Sequence, residues 1–221
     1  MSSELSKHLQ QPRKRRGLLL LISSPSGAGK TSLSRRLVAD HADLALSISA
    51  TTRPARPGEE HEREYYFVSS QEFDEMEGRG EFLEWANVHE HRYGTPKTPV
   101  MAALDLGKDV LFDIDWQGAK QIADNAPEDS VRVFILPPSM AELSRRLHAR
   151  AQDSVAVIEG RLRRGYDEIA QWGLYDYVLV NEDYDRAYAD VAHIYHAERL
   201  RRDRQGWVTP FVDGLMAEKV V

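Results

Sequence analysis

Hydrophobic residues along the chain alternate between short continuous runs and wider spacings of three and four. The run Gly17–Ser23 (GLLLLIS) has the length of a buried strand, and Lys30–Ala42 carries Leu33, Leu37 and Val38 at helical spacing. Leu44–Ala50 predicts another strand, and Thr51–Arg63, crowded with proline and charge, a loop. A short strand at Tyr65–Val68 follows, then a helix N-capped by Ser70 with Phe73 and Met76 on one face, then short strands at Glu81–Val88 and Arg92–Gly94. The longer rhythm returns with a helix over Pro99–Leu106 stopped by Gly107 and strands at Val110–Ile114 and Val131–Leu136. A further helix runs from a Ser139 cap through Leu147, with Glu142 placed for a capping box. Arg150–Ser154 breaks it, and an arginine-rich helix resumes over Val157–Ala170. Tyr177–Val180 is predicted as the last buried strand and Tyr184–Leu200 as a long helix.

Strands alternating with helices predict an α/β fold with a parallel sheet covered on both faces. The block Ser49–Lys97 interrupts that rhythm and has the texture of a small inserted subdomain. The chain has 221 residues, 42% apolar and 29% charged, enough for one good core with insertions. Its longest apolar run, Leu18–Ile22, is far too short to span a membrane, and the basic residues 1–16 contain no apolar stretch of a secretory signal. The absence of cysteine excludes disulfides and thiolate metal sites and fits a cytoplasmic protein. A net charge of −6 argues against general nucleic-acid binding. Two basic clusters, Arg13–Arg16 and Arg199, Arg201, Arg202 and Arg204, stand against that balance; a solvated arm and a solvated helix end account for them. The eight histidines show no metal-site spacing.

Ser24–Thr31 (SPSGAGKT) matches a phosphate-binding loop except that Ser24 stands at the first glycine position. The groups that converge on an anion in such a loop are backbone N–H groups and one lysine, here from Gly27 to Thr31. Ser24 sits where strand becomes loop and needs only an ordinary backbone. Asp113 and Asp115 are two apart on a predicted strand, so both face one side at its carboxyl end, where α/β ligands bind. Two such carboxylates call for a nearby cation, either Mg²⁺ brought by ATP or an arginine. Arg53 and Arg56, on a proline-stiffened loop, suit a phosphate monoester; surface arginines on a solvated loop fit the spacing equally well. Arg146, Arg150, Arg161, Arg163 and Arg164 form a helix–break–helix with the look of a mobile lid over polyphosphate, several of them only solvated. Glu84 alternates with apolar neighbours, which by itself makes it a solvent-facing strand residue. Trp85, Trp116 and Tyr177 fit a core better than a stacking platform.

Taken in order, the segments SSPSGAGKTSL, SISATTRPARPGE, EYYFVSSQEF, GEFLEWANVHEHRYGT, VLFDIDWQGA and YDYVLVNED resemble the guanylate kinases, from about Gly17 to Arg199. The resemblance implies a P-loop-type parallel five-stranded sheet flanked by helices. The core would be residues 17–48, 98–142 and 166–199, with a GMP-binding subdomain at 49–97 and a helical lid at 143–165. The arm 1–16, expected to be disordered, and an extension at 200–221 lie outside it. It further implies Mg²⁺-dependent transfer of the ATP γ-phosphate to GMP or dGMP, with no tightly bound organic cofactor and no nucleic-acid or membrane partner.

By the resemblance, Ser49, Glu84 and Thr95 bind guanine, with Asp115 beside the base, and Arg53, Arg56, Tyr65 and Tyr93 clamp the GMP phosphate. Ser26, Gly27, Ala28, Gly29, Lys30, Thr31 and Ser32 hold the ATP phosphates, while Arg146 and Asn181 neighbour the adenine. Lys30, Arg53, Arg150 and Arg161 form the catalytic set; Thr31 ligates Mg²⁺ and Asp113 supports it through water. The lid segment is less acidic than the family pattern. A kinase for another nucleotide, a related ribose bisphosphate kinase and a non-catalytic guanylate-kinase-like binding module are the alternatives. The intact Lys30, Thr31, Arg150 and Arg161 argue against the last. In the extension, Trp207, Phe211 and Leu215 recur every four residues, so it could dock as an amphipathic helix on the core or on a second subunit of a homo-oligomer.

Overall fold

The computed structural model describes residues 14–88, 90–149 and 154–218, the side chain of residue 155 excepted. Strand β1 (Leu19–Ser23) is buried along its whole length and sits at the centre of a five-stranded sheet. Its neighbours are β7 (Asp109–Asp113) and β8 (Ser130–Leu136), and the edges are β2 (Leu44–Leu46) and β9 (Tyr177–Val180). The order is β2-β7-β1-β8-β9, and every neighbouring pair is parallel. On one face Leu18, Leu20 and Ile22 meet Leu33 and Leu37 of α1 (Lys30–Asp40) and Ala187, Val191 and Tyr195 of α7 (Tyr184–Arg199). On the other, Leu19, Leu21 and Phe112 meet Val100 and Leu104 of α3 (Lys97–Asp105) and Ala119 and Ile122 of α4 (Trp116–Asn125). A continuous leucine run is therefore a strand here because helices cover both its faces.

A second sheet of order β4-β3-β6-β5 is formed by β3 (Ala50–Thr51), β4 (Tyr66–Phe67), β5 (Phe82–Val88) and β6 (His91–Pro96). Helix α2 (Ser70–Gly78) packs Phe73 against Ala50 and Phe82 to give this sheet a small core of its own. Helices α5 (Met140–Ala149) and α6 (Val155–Ile169) share another, through Leu143, Leu147 and Ile158.

Several sequence expectations need correction. Leu44–Ala50 is two strands, because the chain leaves the main sheet after Leu46 and enters the second sheet at Ala50. Ser69, one residue earlier than predicted, caps α2 and shares a full capping box with Glu72. Ser139 does accept from the Glu142 N–H at 3.0 Å, but the Glu142 carboxylate pairs with Arg145 and Arg146, which hold its pKa down to about 2. β9 is an edge strand with Val178 and Val180 exposed. The tail does form a helix, α8 (Val208–Ala217), and Trp207 meets Phe211 edge-on, but none of its residues is buried and Val212, Leu215 and Met216 are exposed. Among the described residues no helix is long and apolar enough to cross a membrane.

The two basic clusters are solvated only in part: Lys14, Arg201 and Arg202 are exposed, whereas Arg15, Arg16 and Arg199 are half-buried and Arg204 is buried; Arg13 lies outside the described residues. Both close onto the amino ends of the strands. Asp109, fully buried, accepts from both terminal nitrogens of Arg15 (2.7 and 2.5 Å), from the Leu18 N–H (2.9 Å) and from the Tyr195 hydroxyl (2.7 Å). Arg16 forks onto Asp129 at 2.7 and 2.8 Å, and its N–H donates to the Arg204 carbonyl at 2.8 Å. Arg199 reaches Asp43 at 2.8 Å, and Arg204 is itself buried beside Glu198. Removing one partner from such a buried pair strands the others, which costs about 3–5 kcal/mol. Asp109→Ala should lower the unfolding free energy by that amount in urea denaturation; a loss below about 1 kcal/mol would mean that the network contributes little.

Candidate active site

The loop between β1 and α1 needs its glycines. Gly27 and Gly29 have φ of 98° and 103°, a region that side-chain-bearing residues avoid. Ser24 does not, as its predicted ordinary backbone required; its hydroxyl donates to the Pro25 carbonyl at 3.0 Å. A Cβ on Gly29 would lie 2.3 Å from Nδ2 of Asn181, which donates to the Ala28 carbonyl at 2.7 Å. Asn181 follows β9 and so braces the loop from the edge strand of the sheet. Arg146 on α5 ties this brace to the next layer, donating to the Asn181 carbonyl (3.0 Å) and to Glu142 (2.8 Å).

Lys30, the first residue of α1, pairs through Nζ with the Asp113 carboxylate and donates to the Ile114 carbonyl at 3.2 Å. Asp113 ends β7. Asp115 does not share its strand, contrary to the sequence expectation: the chain has turned, and Asp115 is the N-cap of α4, accepting from the Gln117 and Gly118 N–H groups at 3.0 Å. The two carboxylates thus reach the same crevice by different routes, and Lys30 is the cation beside the first.

A second cleft, about 240 Å³, is lined by Ser49, Glu84, Tyr93, Thr95, Asp113, Asp115 and Gly118 among others. Glu84 is not solvent-facing; it is only 9% exposed and accepts from the Thr95 hydroxyl at 2.7 Å, with Ser49 Oγ a further 3.3 Å from that hydroxyl. Burial raises the Glu84 pKa; the Thr95 bond opposes this and the Asp115 charge reinforces it. Gly118 keeps the opposite wall close, since a Cβ there would clash with Ile114 at 2.3 Å and lie 3.6 Å from Glu84 Oε2. Tyr93 carries the cleft toward Arg53: its ring meets Tyr65 edge-on at 5.9 Å, and the Arg53 guanidinium lies 5.4 Å from the Tyr65 ring centre. Arg53 also forks onto Glu59 at 2.9 and 3.0 Å, while Arg56 is exposed and its N–H donates to Glu59.

The loop lines a cavity of about 260 Å³ with Asp115 and Glu168, so Asp115 is a wall common to both spaces. Ser26, Gly27, Gly29, Lys30 and Thr31 line it; Ala28 is buried beneath and Ser32 is exposed on the first turn of α1. Arg161 lies half-buried on α6, and Arg150 is outside the described residues. Trp85 packs against the small core and Tyr177 against the main one, as expected, while Trp116 is half-buried. A larger cavity, about 540 Å³, opens at the amino ends of the strands, but its charges are already paired, Arg132 with Asp176 and Arg201 with Glu198. Sequence reasoning missed Glu168 and the bracing role of Asn181. Gly118 carried a usable signal, a glycine inside a helical pattern.

A parallel sheet whose central strand feeds a glycine loop and its lysine, beside a second polar cleft, defines a P-loop-type α/β protein. Known proteins agree. The guanylate kinase family model matches residues 16–198. A guanylate kinase of Caulobacter vibrioides is 58% identical over 205 residues, covering 93% of this chain and 96% of the relative. One of Rhodopseudomonas palustris is 56% identical over 202 residues, covering 91% and 92%. A crystal structure of the guanylate kinase of Anaplasma phagocytophilum superposes with a TM-score of 0.71 at 34% identity, covering 94% of this chain and 99% of that one. The chain belongs to the guanylate kinase family.

The raised pKa of Glu84 has a consequence for stability. The folded protein holds this proton more tightly than the unfolded chain, so the contribution is favourable at low pH and is lost as pH climbs from the ordinary 4.5 through the raised folded value. Glu84→Gln should therefore raise the thermal midpoint near neutral pH, with the gain shrinking in acid. A gain that is independent of pH would show that the carboxylate is not the strained group.

Proposed function

We propose that the protein catalyses transfer of the γ-phosphate of ATP to GMP or dGMP, giving ADP and GDP or dGDP, a step of purine nucleotide metabolism and GMP recycling. The carrying observation is that a glycine loop with its lysine and a cleft with a buried carboxylate share the wall at Asp115. A donor phosphate on one side and an acceptor on the other would then meet.

Residues 49–97, with their own sheet and small core, act as the GMP-binding subdomain, and residues 143–165 as the lid. Guanine presents N1–H and the 2-amino group as two donors on one edge, and an ionised carboxylate is acceptor-only, so Glu84 takes both. Ser49 and Thr95 bind guanine with it, and Asp115 stands beside the base. Arg53 and Arg56, with the Tyr65 and Tyr93 hydroxyls, hold the acceptor phosphate, which replaces Glu59 on Arg53. Loop N–H groups and Lys30 hold the donor phosphates, which replace Asp113 on Lys30. Arg150 and Arg161 neutralise the transferring group, while Arg146 and Asn181 border the adenine. The attacking phosphate oxygen needs no strong general base, so catalysis is alignment and charge stabilisation of a loose transition state. Closure of lid and subdomain excludes water.

The donors around the loop fit magnesium arriving with ATP. They are all oxygens, from the Thr31 hydroxyl and the carboxylates of Asp113 and Asp115. Among the described residues no group of three or more histidine or acidic side chains could hold a metal ion by itself. When bound, the ion neutralises developing charge on the phosphate oxygens.

Lys30→Ala should lower the transfer rate at least a hundredfold, about 3 kcal/mol, while calorimetry shows GMP still bound; near-normal turnover would remove the loop from the mechanism. The base-reading carboxylate is tested by kcat/KM for GMP, IMP and AMP in a coupled assay of ADP release. IMP lacks the 2-amino donor, so GMP should lead it by about ten- to hundredfold and AMP by far more. Glu84→Ala should compress the GMP-to-IMP ratio and leave ATP binding nearly unchanged. Equal use of IMP and GMP by the wild type would exclude Glu84 as the reader.

A further inference from the structure

The cavity beneath the glycine loop carries a carboxylate that the proposed reaction leaves unused. Glu168, near the end of α6, lines it together with Asp115 and residues 24–27 and 29–31. Its Oε2 is buried and has no hydrogen-bond partner. Burial raises its pKa, the Asp115 charge adds to this, and the Ser26 N–H, Lys30 and Arg164 oppose it. Lys30, the loop's own cation, is meanwhile paired with Asp113. A cavity built to receive polyphosphate thus has two carboxylates on its wall and a lysine whose charge is largely matched.

For a bare triphosphate this wall is repulsive. A triphosphate that brings a divalent cation offers the orphaned Glu168 oxygen a positive partner, directly or through water. We propose that Glu168 is a specificity-determining residue that makes the loop reject ATP lacking a divalent cation and accept its magnesium complex. The inference rests on the loop being the ATP site, as proposed above. Unit charges a few ångströms apart in a half-buried site interact strongly enough to change binding about tenfold or more.

The test is calorimetric titration of the full chain with ATP, without GMP, once in excess EDTA and once in saturating Mg²⁺. The wild type should bind the magnesium complex more tightly. Glu168→Gln, close to isosteric, should strengthen binding of metal-free ATP about tenfold and change the magnesium complex by less than about threefold, so the ratio collapses. Glu168→Asp, which keeps the charge, should keep most of the ratio. Equal affinity of the wild type for both forms overturns the inference without any variant, as does a ratio that Glu168→Gln leaves intact. If neither form of ATP binds while GMP still does, the assignment of the loop fails and takes the inference with it.

Discussion

Parallel pairing throughout the five-stranded sheet decides where everything else can be. It sends all the carboxyl ends to one edge and all the amino ends to the other. Lys30 follows β1, Asp113 closes β7, Asp115 caps the helix after it and Asn181 follows β9, so residues far apart in sequence meet at one edge. The opposite edge gathers Arg15 and Arg16 ahead of β1, Asp109 at the start of β7, Asp129 ahead of β8 and Arg199 at the end of α7. There the charges neutralise each other in a closed network, whereas at the first edge they remain within reach of a ligand. One topological rule separates the charges that hold the fold from those available for chemistry.

At the ligand edge the cations are not left bare. Lys30 rests on Asp113 and Arg53 on Glu59. Like charges a few ångströms apart repel by several kcal/mol at an effective dielectric near 20, so a cluster made only of phosphate-binding cations would oppose its own folding. Carboxylates as interim partners relieve that. On the function proposed above, phosphate binding is an exchange of one anion for another, and its strength is set by the difference between them.

Much of this was legible in the chain. Continuous apolar runs located β1, β7 and β8, because helices covering both faces leave no polar positions to interrupt them. The loop could be read despite Ser24, since that position has an ordinary backbone and only Gly27 and Gly29 need positive φ. What could not be read depended on non-local partners. Arg15 and Arg204 look like solvated charge until the sheet brings Asp109, Asp129 and Glu198 to them. Asn181 looks like the polar end of a strand until its amide meets the Ala28 carbonyl across 153 positions of sequence. Glu168 belongs to no motif; only the packing of α6 against the loop brings it to the cavity wall.

Glu84 shows how a local rule can be followed and still mislead. Alternation along Phe82, Leu83 and Glu84 assumes that one face of the strand is wet. In β5 all three are buried: Phe82 enters the small core, Leu83 the main core and Glu84 the cleft. A register shift between Phe82 and Glu84 in the β5–β6 pair marks the place where the strand passes from one packing environment to the next. Period-two patterning therefore reported the strand correctly and the environment wrongly, because the strand has no wet side at this point. The burial that defeats the pattern is also what raises the Glu84 pKa, because a carboxylate kept from water is costly to ionise.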